Sequence, residues 1–589
     1  MVPGLDVAQI NTNSWAVSAR GFNDKYANKL LVLVDGRSVY SELYSGTEWD
    51  VQNPMLEDID RIEVIRGPGA TVWGANAVNG VINIITKSSK DTQGALAVAG
   101  AGATERGFGE FRYGGQLGSS GYYRAYAKTF DRSPLGGAGG GSTEGDWSGV
   151  RGGFRMDWNA SPRDVLMVEG DSYSSGLHRT IDSLTLMAPF DGTRAGRAQS
   201  DGATLLTRWR RRLANGSETV LQISYEHSGR QELFAAPALD IVDADFQDTM
   251  PVGKRNSIVW GVGYRFTGLQ VAGHGGMPFP TQSRQDNLFD AFVQDEIGLA
   301  PETLTLTVGS KFEHNPFSGF EVQPSARLAW TPGARQTLWA AVSRAVRTPS
   351  VTDTGIDLIA AVVPGPGGLP AVVTAHGNPD FHSEDLEANE LGYRLQPSSR
   401  VSVDVAAFFN SYTNLRSVEL DAPYFIATPA PGYLVVSSEF GNQVSARTYG
   451  VELSANVKLA GWWRLSPGYT WLKMVPSTSA GSQDITTVTG LAHGSPQHQF
   501  QIRSYLDLPW RLEFDASVYS VGGLPAQSIP GYVRSDARLG WRATPRVELS
   551  IAGENLLNGA HLEFFIPEEL DALPLESRRS VYGKVTWQF

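Results

Sequence analysis

Nine histidines, at positions 178, 227, 274, 314, 376, 382, 493, 498 and 561, are the side chains of this 589-residue chain best suited to holding iron in haem or another transition metal. None lies in the first 93 residues. The chain has no cysteine, which excludes disulfides, thiolate metal sites and a cysteine nucleophile. The common catalytic patterns fail. Gly136 to Gly141 is glycine-rich but opens no helix, and the run 69–74 lacks the Lys and Ser/Thr of a phosphate loop. Neither G-x-S-x-G nor H-E-x-x-H occurs. Carboxylates abound, but no pair stands apart as a tuned acid and base. None of these patterns singles out an enzyme, and no cofactor and no resident metal are expected.

The elements that must position these residues show a period of two. From about residue 94 to the end, apolar and polar residues alternate in runs of about ten. In 511–519 Leu512, Phe514, Ala516 and Val518 alternate with Arg511, Glu513, Asp515 and Ser517. Runs at 303–314, 401–410, 449–459, 499–507, 532–541 and 546–555 behave alike. Ten residues is the length of a tilted strand crossing a bilayer. A soluble sandwich would also alternate, but the connections argue for a membrane barrel. They are short at 118–121, 159–164, 214–217, 332–335, 397–399, 508–510 and 543–546. They are long at 131–147, 175–199, 230–252, 348–384, 411–446, 474–496 and 558–577. Eight strands are expected from 94 to 267, a short one near 268–274, and thirteen from 285 to Phe589, which makes 22. A lumen that wide needs a plug.

No stretch reads as a membrane helix, because the longest charge-free apolar run, 358–375, is broken by Pro364, Pro366 and Pro370. The net charge of −12 disfavours nucleic acid as a partner. Charged residues are only 19 % of the chain, against about 25 % in a typical soluble protein, which suits a large lipid-facing surface. The first residues hold neither a basic nor an apolar leader segment, so no signal peptide is expected there. Residues 1–93 lack the alternating pattern of the rest. They contain a buried strand at 29–37, an alternating strand into a Gly/Pro turn at 59–69, and a turn and strand at 74–86. The predicted fold is all-β and membrane-embedded: a 22-stranded antiparallel transmembrane barrel, residues 94–589, around a small N-terminal α+β domain, residues 1–93.

The run "IDRIEVIRGPGATVWGANAVNGVINIITK", with "SARGF" and "LVLVDGR" upstream, closely resembles the plug of TonB-dependent outer-membrane receptors. "SRAVRTPS" (343–350), "GNPDF" (377–381), "ANELGY" (388–393), "TYGVELS" (448–454) and "GENLLN" (553–558) resemble that family's barrel. The resemblance implies active uptake of a scarce ligand across the bacterial outer membrane, driven by the TonB energy-transducing complex. The ligand would be an iron–siderophore complex, with haem or cobalamin as alternatives. A passive porin and an outer-membrane barrel enzyme are the rivals of another class. Measured against the family, the chain begins inside the plug, and the plug is expected to be incomplete at its N-terminus and to lack the TonB-contacting segment.

The resemblance also implies residue roles. Arg20 and Arg66 fall in the matching plug motifs. Glu390 and Glu452 lie on strands whose neighbours Leu391 and Val451 take the lipid face, so both carboxylates are expected in the lumen. The four would clamp plug to barrel, since desolvated charges must pair and Arg fits carboxylate bidentately. His376 lies where haem-receptor relatives carry a ligating histidine. Trp15, Trp49 and Trp73 are expected to pack rather than to stack on a ligand. The last strand, with Val581, Val585, Trp587 and Phe589 on one face, resembles the signal read by the barrel-insertion machinery. The other partners would be membrane lipid and the small ligand, with the receptor working as a monomer.

Overall fold

A computed structural model describes residues 2–137, 145–182, 184–187, 190, 192–273, 283–566 and 574–589. Twenty-two antiparallel strands close into a barrel. The last strand, Ser580–Gln588, pairs with the first, Gly94–Gly102. Phe589 completes the seam with two backbone hydrogen bonds to Ala95, of 3.0 and 3.1 Å.

The alternation sorts side chains as a bilayer demands. Val581, Val585 and Trp587 are exposed on the outer face, as are Leu391, Phe111, Val150 and Ile551. Trp158, Trp260, Trp330, Trp541 and Trp587 form an exposed ring at the rim of the short turns, where amphipathic indoles favour a membrane–water boundary. Strands at the other rim run on past any membrane thickness. Tyr433–Ala460 has 28 residues and Thr193–Arg212 has 20.

The strand total agrees with the sequence reading, but its composition does not. Nine strands precede residue 274 because Ala235–Val252, expected as a loop, is a strand of 18 residues. The short strand expected at 268–274 is the end of the single strand Asn256–Gly273, and His274 lies outside the described residues. The two errors cancelled. Ala235–Val252 hides its period because both faces are mixed. Asp240 and Asp248 face outward beside Val242, while Leu239 is buried inward against the plug. The expected loops 175–199 and 411–446 are likewise largely strand, since Asp164–Asp182 and Val401–Leu420 project beyond the bilayer. There both faces meet water and no alternation is imposed. The apolar run 358–375 is a hairpin, Asp357–Pro364 with Pro370–His376, whose second arm pairs in parallel with the start of Tyr433–Ala460.

The plug fills the lumen. A hairpin, Leu5–Gln9 with Trp15–Ala19, packs on a four-stranded sheet. In that sheet Leu30–Val34 lies parallel to Gly80–Thr86, flanked by Arg37–Ser38 and Ile59–Arg66. Leu5, Val17, Leu30, Val32, Ile82 and Ile84 form its core. Among the described plug residues the α-helical part is one turn, Ala70–Trp73. Trp49 packs against the sheet core, Trp73 against Leu31 and Leu33, and Trp15 against Trp147 at 6.1 Å.

Candidate functional site

The turn after Trp15–Ala19 aims Arg20 at the barrel wall. Arg20 sits at φ 54° and Gly21 at φ 95°, a left-handed pair that reverses the chain. The Arg20 side chain is 1 % exposed. Its Nη1 donates to Glu390 Oε1 at 2.7 Å and its Nε to Glu452 Oε1 at 3.0 Å. Its plane lies 4.3 Å over the Phe408 ring. Burial alone would make Arg20 easier to deprotonate, but Glu452 and Glu390 outweigh it and hold the cation charged.

Arg66, from Ile59–Arg66, approaches the same carboxylates. Its Nη1 lies 3.0 Å from Glu452 Oε2 and its Nη2 3.2 Å from Asp404 Oδ1. The strands Glu384–Ser398 and Tyr433–Ala460 flank Val401–Leu420, and register sets Glu390 opposite Phe408 and Glu452 opposite Ala406. All four residues named from sequence therefore meet in one buried cluster. Two glycines make the approach possible. A Cβ at Gly67 (φ 81°) would fall on the Glu390 carboxylate, and one at Gly4 (φ 84°) on that of Glu452.

A second buried network went unrecognised in the sequence. Lys29 Nζ lies 2.5 Å from Glu384 Oε2, and Glu384 Oε1 accepts from Arg347 Nη2 at 2.7 Å. Arg347, fully buried, also pairs with Asp353. Asp353 closes a capping box with Ser350 on the short helix Val351–Gly355. Burial pushes the Lys29 ammonium down, and Glu384 opposes that shift. The signal was present in "SRAVRTPS", which carries Arg347 and Ser350, but only tertiary contact reveals Lys29 as the partner. Tyr412 adds a neutral link, donating from its hydroxyl to Asn79 Oδ1 at 2.7 Å.

At the long-loop end, Leu43 of the plug is buried among Ala235, Leu239, Leu269, Val271, Val351 and Ile356. Tyr44 stacks on Tyr26 with centroids 4.8 Å apart. Phe317 and Phe440 border this apex, each carrying a cation: Arg284 at 4.2 Å, which also pairs with Asp286, and Arg416 at 5.2 Å, which lies 3.6 Å from Asp353. Beside it a cavity of about 550 Å³ runs between plug and wall, from Glu42 and Phe317 past Arg265, Asp290 and Lys311 to Arg61. Such an apex can bind an anionic, partly aromatic solute by cation and ring contacts.

His376 stands apart from the clamp, at the end of Pro370–His376. Its Nδ1 lies 2.6 Å from Asp357 Oδ1 and its Nε2 3.1 Å from Thr374 Oγ1. Both ring nitrogens are therefore engaged. Among the described residues no three His, Cys, Asp or Glu side chains converge as a metal site.

Comparison with known proteins places both parts of the chain. The description "TonB-dependent Receptor Plug Domain" matches residues 1–81, and "TonB dependent receptor-like, beta-barrel" matches 92–556. The iron-regulated outer membrane virulence protein of Vibrio cholerae is 24 % identical over 502 residues, 80 % of this chain and 71 % of that one. The ferric enterobactin receptor of Pseudomonas aeruginosa is 24 % identical over 577 residues, 86 % of this chain and 74 % of that one. The solved siderophore receptor PirA of Acinetobacter baumannii superposes with a TM-score of 0.79 at 17 % identity, over 100 % of this chain and 95 % of that one.

Proposed function

The chain belongs to the TonB-dependent receptors of the bacterial outer membrane, and from that premise we propose that its ligand is an iron–siderophore complex. The observation that carries this reading is the apex, where Arg284 on Phe317 and Arg416 on Phe440 border a plug tip set among the long loops. Cations on aromatic rings suit an anionic, ring-bearing iron chelate. The relatives named for ferric enterobactin and iron regulation support the same ligand class.

In this reading residues 1–93 serve as plug and 94–589 as barrel. Loops capture the chelate, the apex binds it, and the TonB complex rearranges the plug. Arg20, Arg66, Glu390 and Glu452 act as the clamp that keeps the lumen shut between cycles. Phe589 serves as the terminal signal for barrel insertion. Haem uptake through His376 would require that ring to give up its bond to Asp357 or Thr374.

The test is uptake by cells expressing the receptor, with and without an energised TonB complex. Radioactive iron presented as a ferric catecholate should accumulate only when the complex is energised. Accumulation of haem instead, with a Soret shift lost in His376→Ala, would replace this reading with the haem alternative.

A further inference from the structure

Among the described residues, two outward-facing cations on the barrel wall have no acidic partner. Arg447 lies on Tyr433–Ala460 and Lys473 on Trp463–Thr478. Register places Tyr449 opposite Lys473 and Arg447 opposite Val475, so the two cations are diagonal neighbours on one face. That face is the outer one, for Phe409 and Val475 on it are 45 % and 47 % exposed while Glu452 and Met474 point inward and are buried. Among the described residues neither cation has an ion-pair partner. Nearby positions on the same face supply hydroxyls: Ser411 pairs with Arg447, and Ser445 with Ser477.

Height along the wall identifies the surroundings. Trp463 marks the short-turn end of its strand, and Lys473 lies ten residues further on. At ~3.3 Å per residue and a tilt of ~40°, that is about 25 Å, the height of a barrel's apolar band. Beside the two cations an aromatic row crosses three strands, Phe409 to Tyr449 at 6.5 Å and Tyr449 to Trp471 at 5.8 Å; Phe409 and Tyr449 share the register row of Lys473, and Trp471 lies two residues nearer the short turns. Such rings mark the boundary between acyl chains and headgroups. Lys473 therefore stands level with that boundary and Arg447 two residues beyond it, at headgroup depth on the long-loop side. Diagonal positions on adjacent strands are about 7–8 Å apart, within reach of two long side chains converging on one anion.

We propose that Arg447 and Lys473 form a binding site for a phosphate of an outer-leaflet glycolipid, whose acyl chains lie against Phe409, Tyr449 and Trp471. Arg supplies a planar fork for phosphate oxygens and Lys a mobile point charge. Juxtamembrane basic residues attract anionic headgroups by the same physics. The site lies outside the barrel and is independent of the solute carried through it.

The experiment uses the full chain in detergent, titrated with bis-phosphorylated lipid A, with dephosphorylated lipid A and with inorganic phosphate, and read by native mass spectrometry. The wild type should bind the phosphorylated lipid at least tenfold more tightly than the dephosphorylated one. The double variant Arg447→Gln/Lys473→Gln should lose that preference with thermal unfolding unchanged. The exchange Arg447→Lys/Lys473→Arg should retain most of it. Arg211→Gln, an outward cation at the opposite rim, should leave it unaltered. Equal binding of the two lipids by the wild type would overturn the proposal. So would an unchanged preference in the double Gln variant, or inorganic phosphate binding as tightly as the phosphorylated lipid.

Discussion

Arg20 serves two carboxylates at once, so its loss should cost more than that of any single partner. Arg20→Ala leaves Glu390 and Glu452, both almost fully buried, with Arg66 as the nearest cation. Stranding a buried charge costs about 3–5 kcal/mol, and the expected outcome is a plug that melts early and a barrel that leaks. Arg66→Ala should do the same to a smaller degree, because its side chain is 18 % exposed and water can stand in. Single-channel conductance in planar bilayers reads both, and unchanged conductance in the double variant would exclude a clamp. Asp6 offers a pH-dependent counterpart. Its carboxylate accepts from Asn23 at 2.8 Å and Gln499 at 3.0 Å, while burial and then the Glu563 charge push its pKa up to about 7. A carboxyl raised on folding favours the protonated folded state. Stability is therefore greatest below the unfolded pKa of ~4 and falls as pH rises towards 7. Asp6→Asn should remove that slope from thermal melts between pH 4 and 7 and stabilise the protein at pH 8.

At the scale of elements, the two faces of a strand obey different solvents. Val585 is 44 % exposed on the closing strand and faces lipid. Val585→Arg should destabilise the barrel by ~2–4 kcal/mol if it lies near the midplane, and less towards the rim. Urea unfolding in vesicles measures it. The same rule explains which strands could be read from sequence. Leu512–Val521 and Ser580–Gln588 cross the bilayer with one wet and one oily face, and their alternation is plain. Ala235–Val252 was missed because Leu239 must bury against Leu43 inside while Asp240 meets His227 outside, at 2.9 Å. The Lys29–Glu384–Arg347–Asp353 network was missed for a related reason. Lys29 is more than 300 residues from the other three, and nothing local distinguishes it from a solvated lysine.

For the whole molecule, charge is divided between the two sides of the lumen. Plug cations Arg20, Arg66 and Lys29 meet wall carboxylates at Glu390, Glu452, Asp404 and Glu384. On the other side plug carboxylates Asp50, Asp58 and Glu57 meet wall cations Arg230, Arg112 and Lys584. Arg37 with Glu226 is an exception. This polarity gives the plug one favoured orientation, since rotating it would set like charges together at several kcal/mol each. Exchanging Glu57→Lys with Lys584→Glu should preserve plug seating, whereas either change alone should increase conductance. Deleting residues 1–93 should turn the closed barrel into a wide open channel. A full chain that already conducted like that deletion variant would point to a passive pore.

The sequence by itself determined the class of solvent, the strand period, the short and long rims and the motifs that name the family, because each is written in neighbouring residues. It also named Arg20, Arg66, Glu390 and Glu452, through motifs on strands whose facing is set by parity. Only the tertiary structure decided that these four share one cluster, that Lys29 joins Arg347 and Asp353 through Glu384, and that both nitrogens of His376 are engaged. Pairing across a lumen depends on how a plug is rotated within a closed ring. That rotation is fixed by the sum of many contacts between distant parts of the chain, and no local pattern records it.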